Sequence, residues 1–392
     1  MFKLFKGMML GLSLIFLATT AWAGTKELKI GCTLSLTGPA AGLMAPIERG
    51  IRVQEEWVNE KGGIKIGKDN YLIKLIIEDD EWKAAAGRAA AEKLVYRDKV
   101  KFIIGTWCSS ATLAMESITE PNKILHLTGS YSAKSIGPNL KYKFRVLNTP
   151  GEQAVPMAMW LTKAHHEIKS VAVVGENNEF GWSGAADFLY GFKKAGLKIV
   201  AEEYHPVGTL DFTPFLTKVL AKEPQLIEIN SPTQSVALMI KQAREMGYKG
   251  LFMSSARNSA KEILSIAGAQ FSEGYIDCWA NTTATDRIKE FVARYEKKYG
   301  KWEGGAVAGW NYIPVLVQAI EKAQSIDPTV VRNVMAKMQF DVMEGRAFWG
   351  GQARYGCKGQ LLSPIFICDL QNGKERFLAM AQAQEPPPQQ RK

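Results

Sequence analysis

The chain has 392 residues, of which 46% are hydrophobic and 22% charged. That length corresponds to about two domains, each with enough chain to bury a core, and the composition excludes disordered, collagen-like and linker-dominated chains. The net charge of +10 is scattered, and pairs such as Lys193-Lys194 and Lys297-Lys298 read as solvated helix faces, so nucleic acid is not an expected partner.

Residues 1–23 begin with Lys3 and Lys6, pass through an apolar run at 8–17 and end in Ala21-Trp22-Ala23. A basic start, a short apolar run and an A-x-A site predict a secretory signal peptide cut after Ala23. The run is shorter than the ~20 residues of a spanning helix. Gly24 rather than Cys follows the cut, which argues against a lipid anchor. The mature chain is expected in the periplasm.

Strand and helix patterns then alternate: strand 28–34, helix 45–60 closed by Gly62-Gly63, strand 71–77, Ala-rich helix 84–96, strand 100–104, helix 109–119 and strand 124–127. After 143–147, a turn at Asn148-Thr149-Pro150-Gly151 opens a second round. It reads helix 155–164, strand 170–174, helix 184–195, strand 197–202, helix 212–221, strand 225–229, helix 235–246 and strand 251–253. Residues 286–337 are mainly helical by pattern, 361–370 read as a late strand, and 383–392, with Pro386-Pro387-Pro388, as a disordered tail. Two rounds of βα alternation predict an α/β fold of two doubly wound, Rossmann-like lobes with parallel sheets.

Cys32, Cys108, Cys278, Cys357 and Cys368 are an odd number and make no disulfide scaffold in a chain of this size; a Cys357–Cys368 pair stays open. His126, His165, His166 and His205 lack metal-ligand spacing, so neither metal nor cofactor is expected. The run Glu78-Asp79-Asp80-Glu81 reads as a polar strand end, because consecutive carboxylates project in different directions. No GxGxxG or GxxxxGK[ST] loop supports a nucleotide enzyme. Cys108 at a helix start raises the idea of an activated thiolate, but no His sits where it would serve as base. The chain is not expected to be an enzyme.

In open α/β sheets, ligands sit beyond the carboxyl ends of the strands. Two strand-to-helix junctions stand out there: Gly105-Thr106-Trp107-Cys108-Ser109-Ser110, and Thr128-Gly129-Ser130-Tyr131-Ser132. Both are rich in hydroxyls, and a helix N-terminus carrying serine suits a carboxylate or phosphate. The simpler role for Ser109 is to cap its own helix. If the two strands are neighbours, both junctions open onto one crevice, with Trp107 and Tyr131 as apolar walls.

The segments KIGCTLSLTGP at 29–39, NEKGGI at 59–64, the acidic run at 78–80, IIGTWCSS at 103–110, NNEFG at 177–181 and the helical stretch near 286–337 resemble solute-binding proteins of ABC transporters for branched-chain amino acids and amides. The resemblance spans most of the mature chain and implies a type I periplasmic binding fold. Its two lobes, 24–147 with 278–357 and 148–277 with 358–382, would be joined by crossings near 147, 277 and 357 and close over a ligand by hinge motion. It implies that Ser109 and Ser132 hold a ligand carboxylate, with a backbone carbonyl near Ser130, and that Phe180 is the aromatic of the second lobe. The acid that pairs with an amino acid's ammonium should follow the 251–253 strand, where this chain has Ser254-Ser255-Ala256-Arg257. Trp82 stands near the place of the usual disulfide partner of Cys108.

A buried ammonium without a counter-charge costs several kcal/mol, so a small carboxylate with an aromatic or apolar body is expected over a standard amino acid. Arg257 pairing with a second acid would point to a dicarboxylate. Amides, urea-like solutes, branched-chain amino acids and presentation of a ligand to a membrane sensor stay open. The expected ligand-binding set is Trp107, Cys108, Ser109, Ser130, Tyr131, Ser132, Phe180, Ala256 and Arg257. The expected partners are a small carboxylate ligand and the membrane subunits of an ABC importer, with the chain itself a monomer.

Overall fold

The computed structural model describes residues 25–279 and 282–385. The predicted signal peptide and residues 386–392 of the predicted tail lie outside them. Strands β1 (Thr25–Leu34), β2 (Ile64–Ile66), β3 (Asp69–Asp79), β4 (Phe102–Gly105), β5 (Leu125–Thr128) and β6 (Lys143–Arg145) come first. They are followed by β7 (Ser170–Glu176), β8 (Lys198–His205), β9 (Leu226–Asn230), β10 (Leu251–Met253) and β11 (Ile276–Asp277). The last are β12 (Gln339–Val342), β13 (Gly345–Gly350), β14 (Gln360–Leu362), β15 (Pro364–Gln371) and β16 (Lys374–Gln382).

They form two sheets, ordered β12-β13-β14-β6-β5-β4-β1-β3-β2 and β16-β15-β11-β10-β9-β7-β8. In the first, β3, β1, β4, β5 and β6 run parallel. In the second, β8, β7, β9, β10 and β11 do. Strands β4, β5 and β9 are buried along their whole length. Helices cover both faces of such sheets, which is why these strands read as apolar runs rather than as alternating ones. This is the α/β architecture of two Rossmann-like lobes.

The chain changes sheet after β6, after β11 and at Ser363. The third change corrects the expected crossing near 357. The predicted single strand 361–370 is two strands, β14 pairing with β6 in the first sheet and β15 with β11 in the second. Ser363 between them is clamped to the first crossing: Asn148 Nδ2 donates to its carbonyl at 2.6 Å and its amide donates to Asn148 Oδ1 at 3.3 Å.

The turn expected at 148–151 is a helix start. Helix Pro150–Ala164 begins with Thr149 as cap, Pro150 in the first turn and Glu152 returning a carboxylate to the Thr149 amide at 2.8 Å. This reciprocal cap satisfies donors that a free helix end would leave open. Strands β12, β13 and β16 and the short β2 were not read from the sequence; they are antiparallel additions at the sheet margins, where one side meets water and the apolar signal is diluted.

Candidate functional site

β4 ends at Gly105, whose φ of +94° turns the chain under the sheet edge; an added Cβ would lie 2.6 Å from the Thr33 carbonyl. The chain then runs through Trp107 to helix Ser109–Thr119. The cap residue of this helix is Cys108 and no side chain caps it, which corrects the simpler capping role considered for Ser109. Because β4 and β5 are hydrogen-bonded neighbours, the loop after β5 folds over the start of this helix.

The result is a serine triangle. Ser130 Oγ donates to Ser109 Oγ at 3.1 Å, and the Ser132 amide donates to Ser109 Oγ at 3.1 Å and to Ser130 Oγ at 3.3 Å. All three serines are fully buried. Ser132 Oγ donates to Glu179 Oε2 of the opposite lobe at 3.2 Å, and Lys134 Nζ reaches Glu179 Oε1 at 2.6 Å. Behind the loop, Arg145 of β6 donates from Nη1 to the carbonyls of Ser130 (3.1 Å) and Ser132 (3.0 Å), with its guanidinium 4.6 Å over the Tyr355 ring.

An aromatic cluster bridges the lobes. Tyr131 of the first lobe stacks on Phe180 of the second at 4.7 Å, Trp107 leans on Tyr131 at 5.6 Å, and Trp82 meets Phe180 edge-on at 5.2 Å. Phe180 is placed by its helix cap: Asn178 Oδ1 accepts from the amides of Phe180 and Gly181. Gly181 is required there, since a Cβ would fall 2.0 Å from the Glu176 carbonyl. Tyr131 OH donates to the Ser255 carbonyl at 2.6 Å, Trp107 Nε1 to Tyr312 OH at 3.1 Å, and Trp82 Nε1 to Glu176 Oε2 at 2.8 Å. Ala256 is buried in the same apolar cluster.

Thus Trp107, Ser109, Ser130, Tyr131, Ser132, Phe180 and Ala256 come together between the lobes. Cys108 lies beside them as the helix cap, a free thiol that burial pushes up from its ordinary value; this is opposite to an activated thiolate. Cys357 is likewise a free thiol, which answers the pairing left open above. Trp82, Tyr312, Glu176 and Glu179 enter the interface without having been singled out as site residues.

Sequence reading found no acid after β10, yet the fold supplies one from β11. Asp277 is fully buried under the 254–258 loop. Its Oδ1 accepts from the amides of Arg257 and Cys278, and its Oδ2 from the amide and side chain of Asn258 and from Tyr275 OH. Five donors occupy this carboxylate, so its role is to hold the loop. Arg257 itself is 6% exposed and adopts a left-handed φ of +57°.

The acids at 78–81 diverge as expected. Glu78 pairs with Lys93 and Arg97, Asp79 takes Thr37 and the Leu36 amide, Asp80 takes Ser35 and the Trp82 amide, and Glu81 pairs with Lys83. Among the described residues no group of three or more His, Cys, Asp or Glu could hold a metal ion, and no helix is long and apolar enough to cross a membrane.

Comparison with known proteins agrees with this architecture. The family model described as periplasmic binding protein matches residues 27–375. A Leu/Ile/Val-binding protein homolog of Brucella melitensis is 26% identical over 377 residues, covering 91% of each chain. The crystal structure of a leucine binding protein from Thermotoga maritima superposes with a TM-score of 0.80 at 24% identity, covering 91% of this chain and 99% of that one. A solute binding protein of an ABC transporter from R. palustris, solved in complex with benzoate, superposes with a TM-score of 0.77 at 18% identity, covering 91% and 97%. Matched along nearly all of its length and built as two Rossmann-like lobes, the chain belongs to the periplasmic binding protein family and is a solute-binding protein of the ABC-transporter type.

Proposed function

We propose that this chain captures a small carboxylate-bearing solute, with an aromatic or apolar body, between its lobes and delivers it to an ABC importer. It acts as an exported monomer without catalytic activity, its signal peptide removed after Ala23. The observation that carries this reading is the Ser109 hydroxyl. It accepts from both Ser130 Oγ and the Ser132 amide, so its own proton is left to donate. It sits at a helix N-terminus, where free amides and partial positive charge favour an anion. The Arg145 guanidinium behind the loop adds positive potential to the same end.

Two of the features that would receive an ammonium are committed elsewhere, whereas Glu176, buried beside Trp82, keeps its Oε1 without a partner among the described residues. The Ser130 carbonyl accepts from Arg145, and the Asp277 carboxylate is held by the 254–258 loop, Tyr275 and the Cys278 amide. Trp82, Trp107, Tyr131 and Phe180 supply flat apolar walls for a ring. The benzoate complex of the R. palustris protein gives such a ligand precedent on this fold. The rival reading, a branched-chain amino acid, draws on the Leu/Ile/Val name of the Brucella relative.

Calorimetric titration of the mature chain with benzoate, 4-hydroxybenzoate, leucine and acetamide separates the readings. Binding of the aromatic acids with no heat from leucine is the expected result. Tight leucine binding with silent benzoate overturns the proposal.

A further inference from the structure

The serine end accounts for one anionic group. The cleft has a second basic pole, and it has no acid of its own. Arg257 is buried, yet among the described residues its guanidinium enters no ion pair. It donates to the Asn148 carbonyl at 3.5 Å and, with the Gln153 amide turned so that its oxygen faces it, to Gln153 at 3.1 Å. Lys143 pairs with Glu116 at 2.9 Å and Arg354 with Asp187, whereas Arg145, fully buried behind the serine triangle, is bonded to the Ser130 and Ser132 carbonyls and to Gln360 rather than to a carboxylate. A buried guanidinium left without an opposite charge is costly unless something brings one.

The acids around Arg257 do not supply it. Asp277 takes the Arg257 amide, and its other bonds go to Asn258, Tyr275 and Cys278. Glu344 is held by Trp310 Nε1 at 3.0 Å and Asn311 Nδ2 at 2.9 Å. Burial pushes the Glu344 carboxyl up, while those donors and the more distant Arg257 charge pull it down. The remaining groups that feel the Arg257 charge are Tyr131, Tyr312 and Cys278, which are neutral. Two of these are ring residues of the aromatic cluster already described.

Tyr131 sets the spacing between the two poles. Its backbone lies between Ser130 and Ser132, and its hydroxyl reaches the Ser255 carbonyl, two residues before Arg257. The serine triangle and the Arg257 loop are therefore about one tyrosine side chain apart. A benzene ring with acid groups at opposite ends, or a flexible chain of similar length, spans that distance.

We infer that the physiological ligand is a dicarboxylate, with one acid on the Ser109–Ser130–Ser132 triangle and the other on Arg257. This rests on the carboxylate reading above and narrows its substrate class. The left-handed backbone of Arg257, unusual for a residue with a side chain, is held by Asp277, and its guanidinium is buried against the Asn148 carbonyl.

The test is calorimetry on the mature chain with benzene-1,4-dicarboxylate, its monomethyl ester and benzoate. The diacid should bind about 10- to 100-fold tighter than either monoacid, the scale of one buried charge-assisted pair. Arg257→Gln should remove that preference, so that the diacid and its monomethyl ester bind the variant alike. The monomethyl ester makes the same comparison on the unaltered protein, so a misfolded variant does not decide the matter. Equal affinity for diacid and monoester, or equal weakening of diacid and benzoate in a folded Arg257→Gln, overturns the dicarboxylate inference while benzoate binding keeps the serine site. Silence towards all three acids rejects both.

Discussion

Ser109→Ala is the perturbation that bears most directly on the serine triangle. The hydroxyl it removes accepts two bonds at 3.1 Å and, on our reading, donates one to the ligand anion. A hydrogen bond to a charged group contributes about 1.5–3 kcal/mol, so affinity for a carboxylate should fall about 10- to 150-fold. The same change strands Ser130 Oγ, which loses its acceptor, while the Ser132 amide keeps Ser130 Oγ at 3.3 Å. One unsatisfied buried hydroxyl costs about 1–3 kcal/mol of stability, so the melting temperature should drop by several degrees as well. The two effects are separable, because Ser109→Thr keeps an oxygen in place and should recover most of the affinity. Calorimetry with benzoate reads the first effect and a thermal melt the second. A folded Ser109→Ala protein whose carboxylate affinity matches the parent would refute the site, whatever its melting temperature.

Two further outcomes follow from the same geometry. Trp82→Phe removes the 2.8 Å bond that joins the lobes through Glu176 while keeping the edge contact with Phe180. A charge-assisted bond of about 1.5–3 kcal/mol lost only from the closed form should populate open molecules, so small-angle scattering should record a larger radius of gyration; an unchanged radius would mean the bond does not hold the lobes together. Burial pushes the Asp80 carboxyl up to about 6, against the donors Ser35 and the Trp82 amide. An acid protonated more readily in the fold than in the unfolded chain makes stability fall as pH rises from about 4 to about 6 and level off above, a difference of about 2–3 kcal/mol. Asp80→Asn keeps the acceptor oxygen and loses the charge, so it should melt higher than the parent at pH 8 and converge with it near pH 4; parallel curves across that range would contradict the assignment.

The sheet alternation was legible because buried parallel strands advertise themselves as apolar runs. The two serine junctions were legible for a related reason: each follows such a strand, and adjacency of β4 and β5 did the rest. Phe180 was reachable through its Asn178 cap and the small residue at Gly181. What escaped was whatever depends on strand order across the chain. Asp277 sits twenty positions from Arg257 and meets it because β10 and β11 pair in parallel; no local pattern contains that fact. Tyr312 reaches Trp107 across about two hundred positions, and its helix reads as ordinary core. The split of 361–370 at Ser363 was hidden because both halves are apolar, and only the Asn148 clamp marks the change of sheet.

The polarity of the cleft follows from how the lobes already hold each other. They meet through Trp82 and Glu176, Ser132 and Glu179, Tyr131 and Ser255, and the Tyr131–Phe180 stack. A ligand shifts the open–closed balance only by the difference between what it adds and what it displaces in the two forms. On the proposed reading, a carboxylate at Ser109 uses a proton that no acceptor among the described residues takes, and so adds a contact to the closed form without removing one. An ammonium would have to compete with Arg145 for the Ser130 carbonyl and with five donors for Asp277. Breaking those bonds would loosen the loops that carry Tyr131 and Arg257, which are the loops that touch across the cleft. On the proposed reading, then, an anion at Ser109 favours closure, and a cation at the Ser130 carbonyl or Asp277 works against it.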